Sequence, residues 1–311
     1  MTSLLKEDIT PHVRYLPAWL KQDLPDREKC GVIKRILEKK DLHTVCQSAR
    51  CPNLGTCWGQ GVATFMILGD TCTRACRFCA VASGKPLAVD SHEPEKIARV
   101  VAQWRLRYVV VTSVTRDDLS DKGAGQFVST VRAIKRHTPE AKVELLIPDF
   151  QGNAGALFDV VSSGCEVIGH NIETVRRLTP LIRPQASYQR SLDVLEHLGR
   201  MNPELFLKSG FMVGLGENDD EIRQAMNDLK KAGCHILTIG QYLRPRDSVR
   251  HWPVQRYVAP QDFERFQKWG LDLGFRHVFS APLVRSSFLA ERGYDACVRV
   301  AGDTFSPKEM G

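Results

Sequence analysis

The chain has no apolar stretch long enough to span a bilayer, so the sequence offers no transmembrane helix. Its start, MTSLLKEDITPH, lacks the apolar core of a signal peptide, and two acidic residues make it a poor transit peptide. No nucleic-acid-binding module and no separate basic appendage is visible, although the net charge is +7. The paired C-x2-C knuckles of a zinc ribbon are missing too. A disulfide framework does not fit 311 residues with 43% hydrophobic side chains, which can bury a core without staples. These absences point to a reducing compartment, with the cytoplasm as the expected location and neither membrane nor nucleic acid as partner. The dispersed basic surplus reads as a solvated surface or as steering of an acidic partner.

What the chain does have is ten cysteines, six of them in two tight triplets. Cys46, Cys51 and Cys57 form a C-x4-C-x5-C run, and Cys72, Cys76 and Cys79 form a C-x3-C-x2-C run. Three thiolates on one short loop can hold three corners of a cubane cluster and leave one iron open, which is a catalytic feature because electron carriers usually close their clusters with four cysteines. Two triplets of different spacing imply two clusters with different jobs. A closed tetrahedral zinc site is the rival for either triplet. Cys30, Cys165, Cys234 and Cys297 stand singly and read as small buried hydrophobes.

Downstream of the second triplet, apolar runs alternate with amphipathic stretches. Residues 63–69, 108–114, 142–148, 166–172, 205–214 and 236–243 are short, rich in β-branched residues and bounded by turn signals, as buried strands are. Helical patterns occupy 94–105, 124–137, 187–199, 219–232 and 260–273, with Asn218 and Glu221 placed as a capping box. Repeated strand–helix units imply a parallel α/β fold. Six units fit a partial (β/α)6 TIM-like barrel with N-terminal and C-terminal extensions; a doubly wound open sheet stays open on pattern alone. The expected division is 1–60, an extension with a basic amphipathic helix near 30–42 and the first cysteine loop; 61–275, the barrel; and 276–311, a final strand, a serine pair and a tail. The second triplet follows the first strand directly, at the barrel rim where such folds place their chemistry.

The second triplet, with Phe78 inside it, resembles the signature of radical S-adenosylmethionine (SAM) enzymes, and the upstream triplet narrows the likeness to the lipoyl synthase family. The resemblance continues through LHTVCQSARCPNLGTCW, RYVVVTSVTRDDL, ELLIPDF, HNIETVRRLTPLIR, LKSGFMVGLGE, LTIGQYLRP, PVQRYVAP and PLVRSSF. Departures are Gln47, Lys122, Ala281 and Phe288-Leu289, none of them an expected cluster ligand.

The resemblance implies insertion of two sulfurs, at C6 and C8, into an octanoyl chain on a lysine of a lipoyl carrier domain. It implies SAM and two [4Fe-4S] clusters: Cys72, Cys76 and Cys79 for the one that cleaves SAM, and Cys46, Cys51 and Cys57 for the auxiliary sulfur donor. A serine of Arg285-Ser286-Ser287 would be the auxiliary fourth ligand, Ser287 first and Ser286 as fallback. Phe78, Ser113, Asn171, Glu173, Arg190, Gly214, Gly216, Gln241 and Tyr242 are the candidate SAM contacts, mostly at strand ends; for the two glycines the plainer reading is a tight turn. His170 reads as a satisfied structural histidine. Implied partners are an octanoylated domain of a 2-oxoacid dehydrogenase E2 component or a glycine-cleavage H protein, an electron donor, and an iron–sulfur carrier for cluster repair. The competing functions are another sulfur-inserting radical SAM enzyme, such as a tRNA methylthiotransferase, and an iron–sulfur carrier or scaffold.

Overall fold

The computed structural model describes residues 15–21, 27–49, 51–59 and 64–303. The opening MTSLLKEDITPH and the end of the tail, 304–311, lie outside them. Parallel strands β1 (Thr64–Ile67), β2 (Tyr108–Ser113), β3 (Lys142–Leu146), β4 (Val167–Gly169), β5 (Phe206–Val213), β6 (Ile236–Gln241) and β7 (His277–Ser280) lie side by side in sequence order. Registers such as Thr64↔Val110, Tyr108↔Lys142, Val167↔Phe206 and His277↔Ile236 fix the stagger. A doubly wound sheet reverses its strand order at a switch point; this one does not, and its two ends do not pair, so it is a partial barrel. One addition was not expected: His43–Thr44 pairs antiparallel with β1 and extends the sheet beyond its first parallel strand.

Strands covered on both faces should be apolar throughout, and β1 and β6 are buried at every residue. Helices α1 (Arg27–Lys39), α2 (Glu93–Trp104), α3 (Ala124–His137), α4 (Ala154–Val161), α5 (Tyr188–Met201), α6 (Asp219–Lys231), α7 (Pro260–Asp272) and α8 (Ala290–Asp303) accompany them. In α2, Ile97, Ala98, Val100 and Val101 make one buried stripe. The capping box forms as expected: Asn218 accepts from the Glu221 amide at 2.9 Å, and Glu221 accepts from the Asn218 amide at 3.0 Å. Helix α1 ends earlier than its pattern suggests because Asp41 takes φ 51°, a left-handed conformation that stops a helix. Helices α4 and α8 were not expected; the second occupies what reads in sequence as tail. Cys234 and Cys297 are fully buried, and Cys30 and Cys165 pack against the core.

Inside the barrel, Lys208 Nζ meets Glu144 Oε1 at 2.7 Å with both side chains almost wholly buried, and the Tyr108 hydroxyl donates to Glu144 Oε2 at 2.7 Å. Removing one member of such a pair strands the other's charge. Lys208→Met is therefore expected to cost about 3–5 kcal/mol, seen as a lowered urea midpoint of the apoprotein with unchanged slope.

Candidate active site at the barrel rim

A cavity of about 640 Å³ opens at the C-terminal ends of the strands. All six triplet cysteines line it, together with Ser286 and Ser287.

The second triplet sits on the loop after β1. A short parallel ladder, Thr71–Cys72 against Ala82–Ser83, closes the loop at its base. Arg74, inside the triplet, is buried: Nε and Nη2 reach the two Asp117 oxygens at 2.7 and 2.9 Å, and Nη2 reaches Asp149 Oδ1 at 2.6 Å. Burial opposes ionisation of Asp149, but the guanidinium outweighs it and holds the carboxyl down at about 2. Arg74 thus ties the cysteine loop to the loops after β2 and β3. Neither alanine nor lysine can serve both carboxylates in that fork geometry. Arg74→Ala should destabilise the protein by about 3–5 kcal/mol. If this loop holds the SAM-cleaving cluster that the resemblance implies, Arg74→Lys should release 5′-deoxyadenosine about 10–100-fold more slowly; wild-type release from Arg74→Lys would contradict this role.

The first triplet lies on two short helices, Val45–Ser48 and Leu54–Gly59, with Cys51 between them. Thr44 caps the first by accepting from the Gln47 amide. The Cys51 amide bonds the Cys46 carbonyl at 3.0 Å, and the Cys57 amide bonds the Asn53 carbonyl at 2.9 Å.

Among the described residues no group of three His, Cys, Asp or Glu is placed to hold one metal ion. The fit to clusters therefore rests on the donor set and on what faces the sulfurs. Backbone N–H groups of Arg74 and Thr115 donate to Cys72 Sγ at 3.4 and 3.3 Å. Those of Thr64, Asn53 and Val81 favour the thiolates of Cys46, Cys51 and Cys79. The Trp58 indole N–H, buried without another partner, also favours the Cys46 thiolate. Against these, burial pushes Cys57 up to about 11 and Cys79 up to about 12, and raises Cys46, Cys51 and Cys76. Such thiols keep their protons at neutral pH and release them to solvent only when a cation binds the sulfur. Amide donors aimed at sulfur and three soft ligands per loop suit iron–sulfur clusters.

The structure brings Phe78, Ser113, Asn171, Glu173, Gln241 and Tyr242 to the cavity wall. Ser113 Oγ, Asn171 Oδ1 and Arg183 Nε are buried there without partners. Buried polar groups left unpaired in this way mark a ligand's place. Glu173 has φ 64°, and burial raises its carboxyl.

Gln241 and Tyr242 have their polar atoms committed elsewhere. Gln241 donates to the Tyr242 and Arg256 carbonyls and accepts from the Val258 amide, while the Tyr242 hydroxyl donates to the Trp252 carbonyl. Arg190, Gly214 and Gly216 do not line the cavity. Arg190 faces Asp149, Nη1 to Oδ2 at 3.5 Å. Gly214 forms a turn closed by Glu217, which accepts from the Gly214 and Leu215 amides at 2.6 and 2.9 Å. Gly214 takes φ +95°, and a Cβ there would lie 2.2 Å from Gln241 Nε2 and 2.5 Å from the Arg256 carbonyl, so both the turn and the packing require glycine. His170 is satisfied as expected, donating from Nδ1 to the Ile147 carbonyl and accepting at Nε2 from the Ser191 hydroxyl; burial holds its pKa down at about 4.

Arg183 was missed in the sequence, where Arg190 looked equivalent; Asn53 and Arg74 were missed inside the triplets themselves, and Trp58 directly after the first. Arg285, half-buried and beside Cys51, favours that thiolate.

The radical SAM superfamily profile matches residues 66–229. Lipoyl synthase of Thermus thermophilus is 52% identical over 284 residues, covering 91% of this chain and 87% of its own. That of Rubrobacter xylanophilus is 51% identical over 274 residues, covering 88% and 85%. Among solved structures, Streptococcus suis SuiB bound to S-adenosylmethionine aligns with a TM-score of 0.54 at 10% identity, over 82% of this chain and 61% of that one. HydG, a maturase of the [FeFe]-hydrogenase, aligns at 0.52 and 14% identity, over 76% and 65%. At these identities the structural likeness concerns the fold alone.

Proposed function

The chain belongs to the lipoyl synthase family of radical SAM enzymes, and on that footing we propose that the rim cavity is where octanoyl-lysine of a carrier domain becomes lipoyl-lysine, through sulfur insertion at C6 and C8. The observation that carries this reading is that both cysteine triplets and the serine pair open into one cavity. When bound, the radical SAM cluster supplies the electron that splits SAM into methionine and a 5′-deoxyadenosyl radical, and the auxiliary cluster supplies the sulfur.

Cys72, Cys76 and Cys79 hold the first of these, and Cys46, Cys51 and Cys57 with Ser287 hold the second. The unpaired Ser113 Oγ, Asn171 Oδ1 and Arg183 Nε receive the amino and carboxylate groups of SAM, and Phe78 packs against its adenine. Phe211, Met212, Tyr257 and Phe288 give the cavity an apolar wall for the alkyl chain, which also keeps water from the reacting carbon. Arg190, beside Asp149, and Gly214 and Gly216, beside Gln241 and Gln255, act outside the cavity lining without touching SAM. Functionally, 1–60 carries the auxiliary loop, 61–275 the barrel and 276–311 the serine ligand.

The substrate is an octanoylated carrier, of which the E2 and H-protein domains are the proposed forms. An acidic face on such a domain would suit the net charge of +7. A reductant and an iron–sulfur carrier for cluster repair complete the proposed partners. Among the described residues no helix is long and apolar enough to cross a membrane; a cytoplasmic location is part of the proposal.

Oxygen is a harder and more labile ligand for iron than thiolate. Ser287→Ala should keep the auxiliary cluster on its three thiolates yet slow sulfur insertion about 10–100-fold, whereas Ser287→Cys should hold the cluster too firmly to donate. Wild-type turnover by Ser287→Ala beside a dead Ser286→Ala would move the ligand by one residue. The activity itself is tested by anaerobic reaction of reconstituted protein with SAM and an octanoyl-lysine peptide, followed by mass spectrometry. A mass gain corresponding to two sulfurs for two hydrogens is expected; SAM cleavage with unchanged peptide mass would overturn the reading.

A further inference from the structure

The segment bearing the serine pair is held across the cavity at four points. Pro282 O accepts from the Gln241 amide at 3.1 Å. Leu283 O accepts from Asn53 Nδ2 at 2.6 Å. Val284 O lies so close over Gly240 that a Cβ there would stand 2.1 Å from it. Ser286 Oγ accepts from Asn171 Nδ2 at 2.6 Å. Two of these anchors are backbone contacts made by β6; the other two are side-chain amides.

Asn53 is the more informative amide. It lies between Cys51 and Cys57 and is 3% exposed. Its own carbonyl accepts from the Cys57 amide at 2.9 Å. One residue therefore holds the backbone of a triplet cysteine and reaches across 230 positions of sequence to the serine segment. Asn171 fixes Ser286 from the opposite side, at the end of β4. Both serines line the cavity, and with the Ser286 hydroxyl engaged by Asn171, that of Ser287 is the one not held by this anchor.

We infer that Asn53 is a positioning residue that sets the serine-bearing segment against the auxiliary triplet, with Asn171 as the second anchor, so that Ser287 is the hydroxyl presented to the cluster. This rests on the proposed ligand role of Ser287. A hydrogen bond from the ligand loop to the carbonyl of Leu283, four residues before Ser287, fixes the distance between thiolate and hydroxyl ligands. Outer contacts of this kind commonly govern metal-site function about 10–100-fold.

The experiment compares wild type, Asn53→Ala, Ser287→Ala and the double variant, each reconstituted anaerobically with isotope-enriched iron. The main readout is the Mössbauer signature of the oxygen-ligated iron; 5′-deoxyadenosine release and sulfur insertion are followed alongside. Asn53→Ala should keep its iron and its SAM cleavage, lose or broaden the oxygen-ligated signature, and insert sulfur about 10–100-fold more slowly. The double variant should be no worse than Ser287→Ala, because both changes remove one ligation. An unchanged signature in Asn53→Ala, or losses that multiply in the double variant, would overturn the inference. If Ser287→Ala itself leaves the signature unchanged, the ligand assignment has failed and not merely the role of Asn53. Should Asn53→Ala fail to load iron, Ser286→Ala carries the test, since it removes only the acceptor of the Asn171 anchor. It should keep an oxygen-ligated iron in a broadened signature; complete loss or no change would refute the arrangement.

Discussion

Replacing Cys72, Cys76 and Cys79 together by alanine is expected to abolish SAM cleavage and to remove about half the iron from anaerobically reconstituted protein. The loop after β1 offers no substitute thiolates, since Cys72, Cys76 and Cys79 are its only cysteines. The effect should be complete, because the electron that breaks the sulfonium bond must come through a metal bound beside it, and no acid–base group can replace that chemistry. Iron content and 5′-deoxyadenosine release in the presence of a strong reductant measure both halves of the prediction. Residual SAM cleavage near the wild-type rate would show that this loop does not hold the cleaving cluster.

Replacing Cys46, Cys51 and Cys57 should give the complementary phenotype: about half the iron lost, SAM cleavage retained, and sulfur insertion ended. The two loops stand on different supports, which is why the functions should separate. The first hangs on the Thr44 cap, Asn53 and the serine segment. The second hangs on Arg74, Asp117 and Asp149. Loss of SAM cleavage along with insertion would mean that the two loops fold or bind metal as one unit.

Much of this was legible in the sequence for a definite physical reason. A parallel strand covered on both faces is mostly apolar, so β1, β2, β3, β5 and β6 appear as short runs rich in Val, Ile, Leu and Phe, interrupted by a few barrel-interior polar residues such as Glu144 and Lys208. The capping box at Asn218 is equally local, needing only two side chains three positions apart. The misses share the opposite property. His43–Thr44 is two residues long and becomes a strand only by pairing with β1. Helix α4 carries Gly155 and follows the left-handed residues Phe150 and Gln151, a local sequence that argues against a helix until tertiary packing buries Leu157 and Val160.

The site divides in the same way. Cysteine spacing displays ligands directly, whereas the partner of an arginine is set by tertiary structure. Arg183 and Arg190 look alike in LIRPQASYQR, yet Arg190 turns to Asp149 while Arg183 reaches the cavity wall. Their place at the end of β6 puts Gln241 and Tyr242 at the rim but does not reveal that residues 252–258 return to take their polar atoms. Asn53 gave no signal of its own, because its partner is a backbone carbonyl that no residue type encodes.

The most direct test of the central claim, that one cavity joins a radical-generating loop to a sulfur-donating loop, is an isotope experiment. The auxiliary cluster is built with labelled sulfide, and the protein is freed of excess sulfide and given octanoyl-lysine peptide, SAM and reductant in a single turnover. The account predicts labelled sulfur at both C6 and C8 of the product. About two 5′-deoxyadenosines should form per lipoyl group, because each radical removes one hydrogen. Label retained by the protein while unlabelled sulfide from solution enters the product would contradict it.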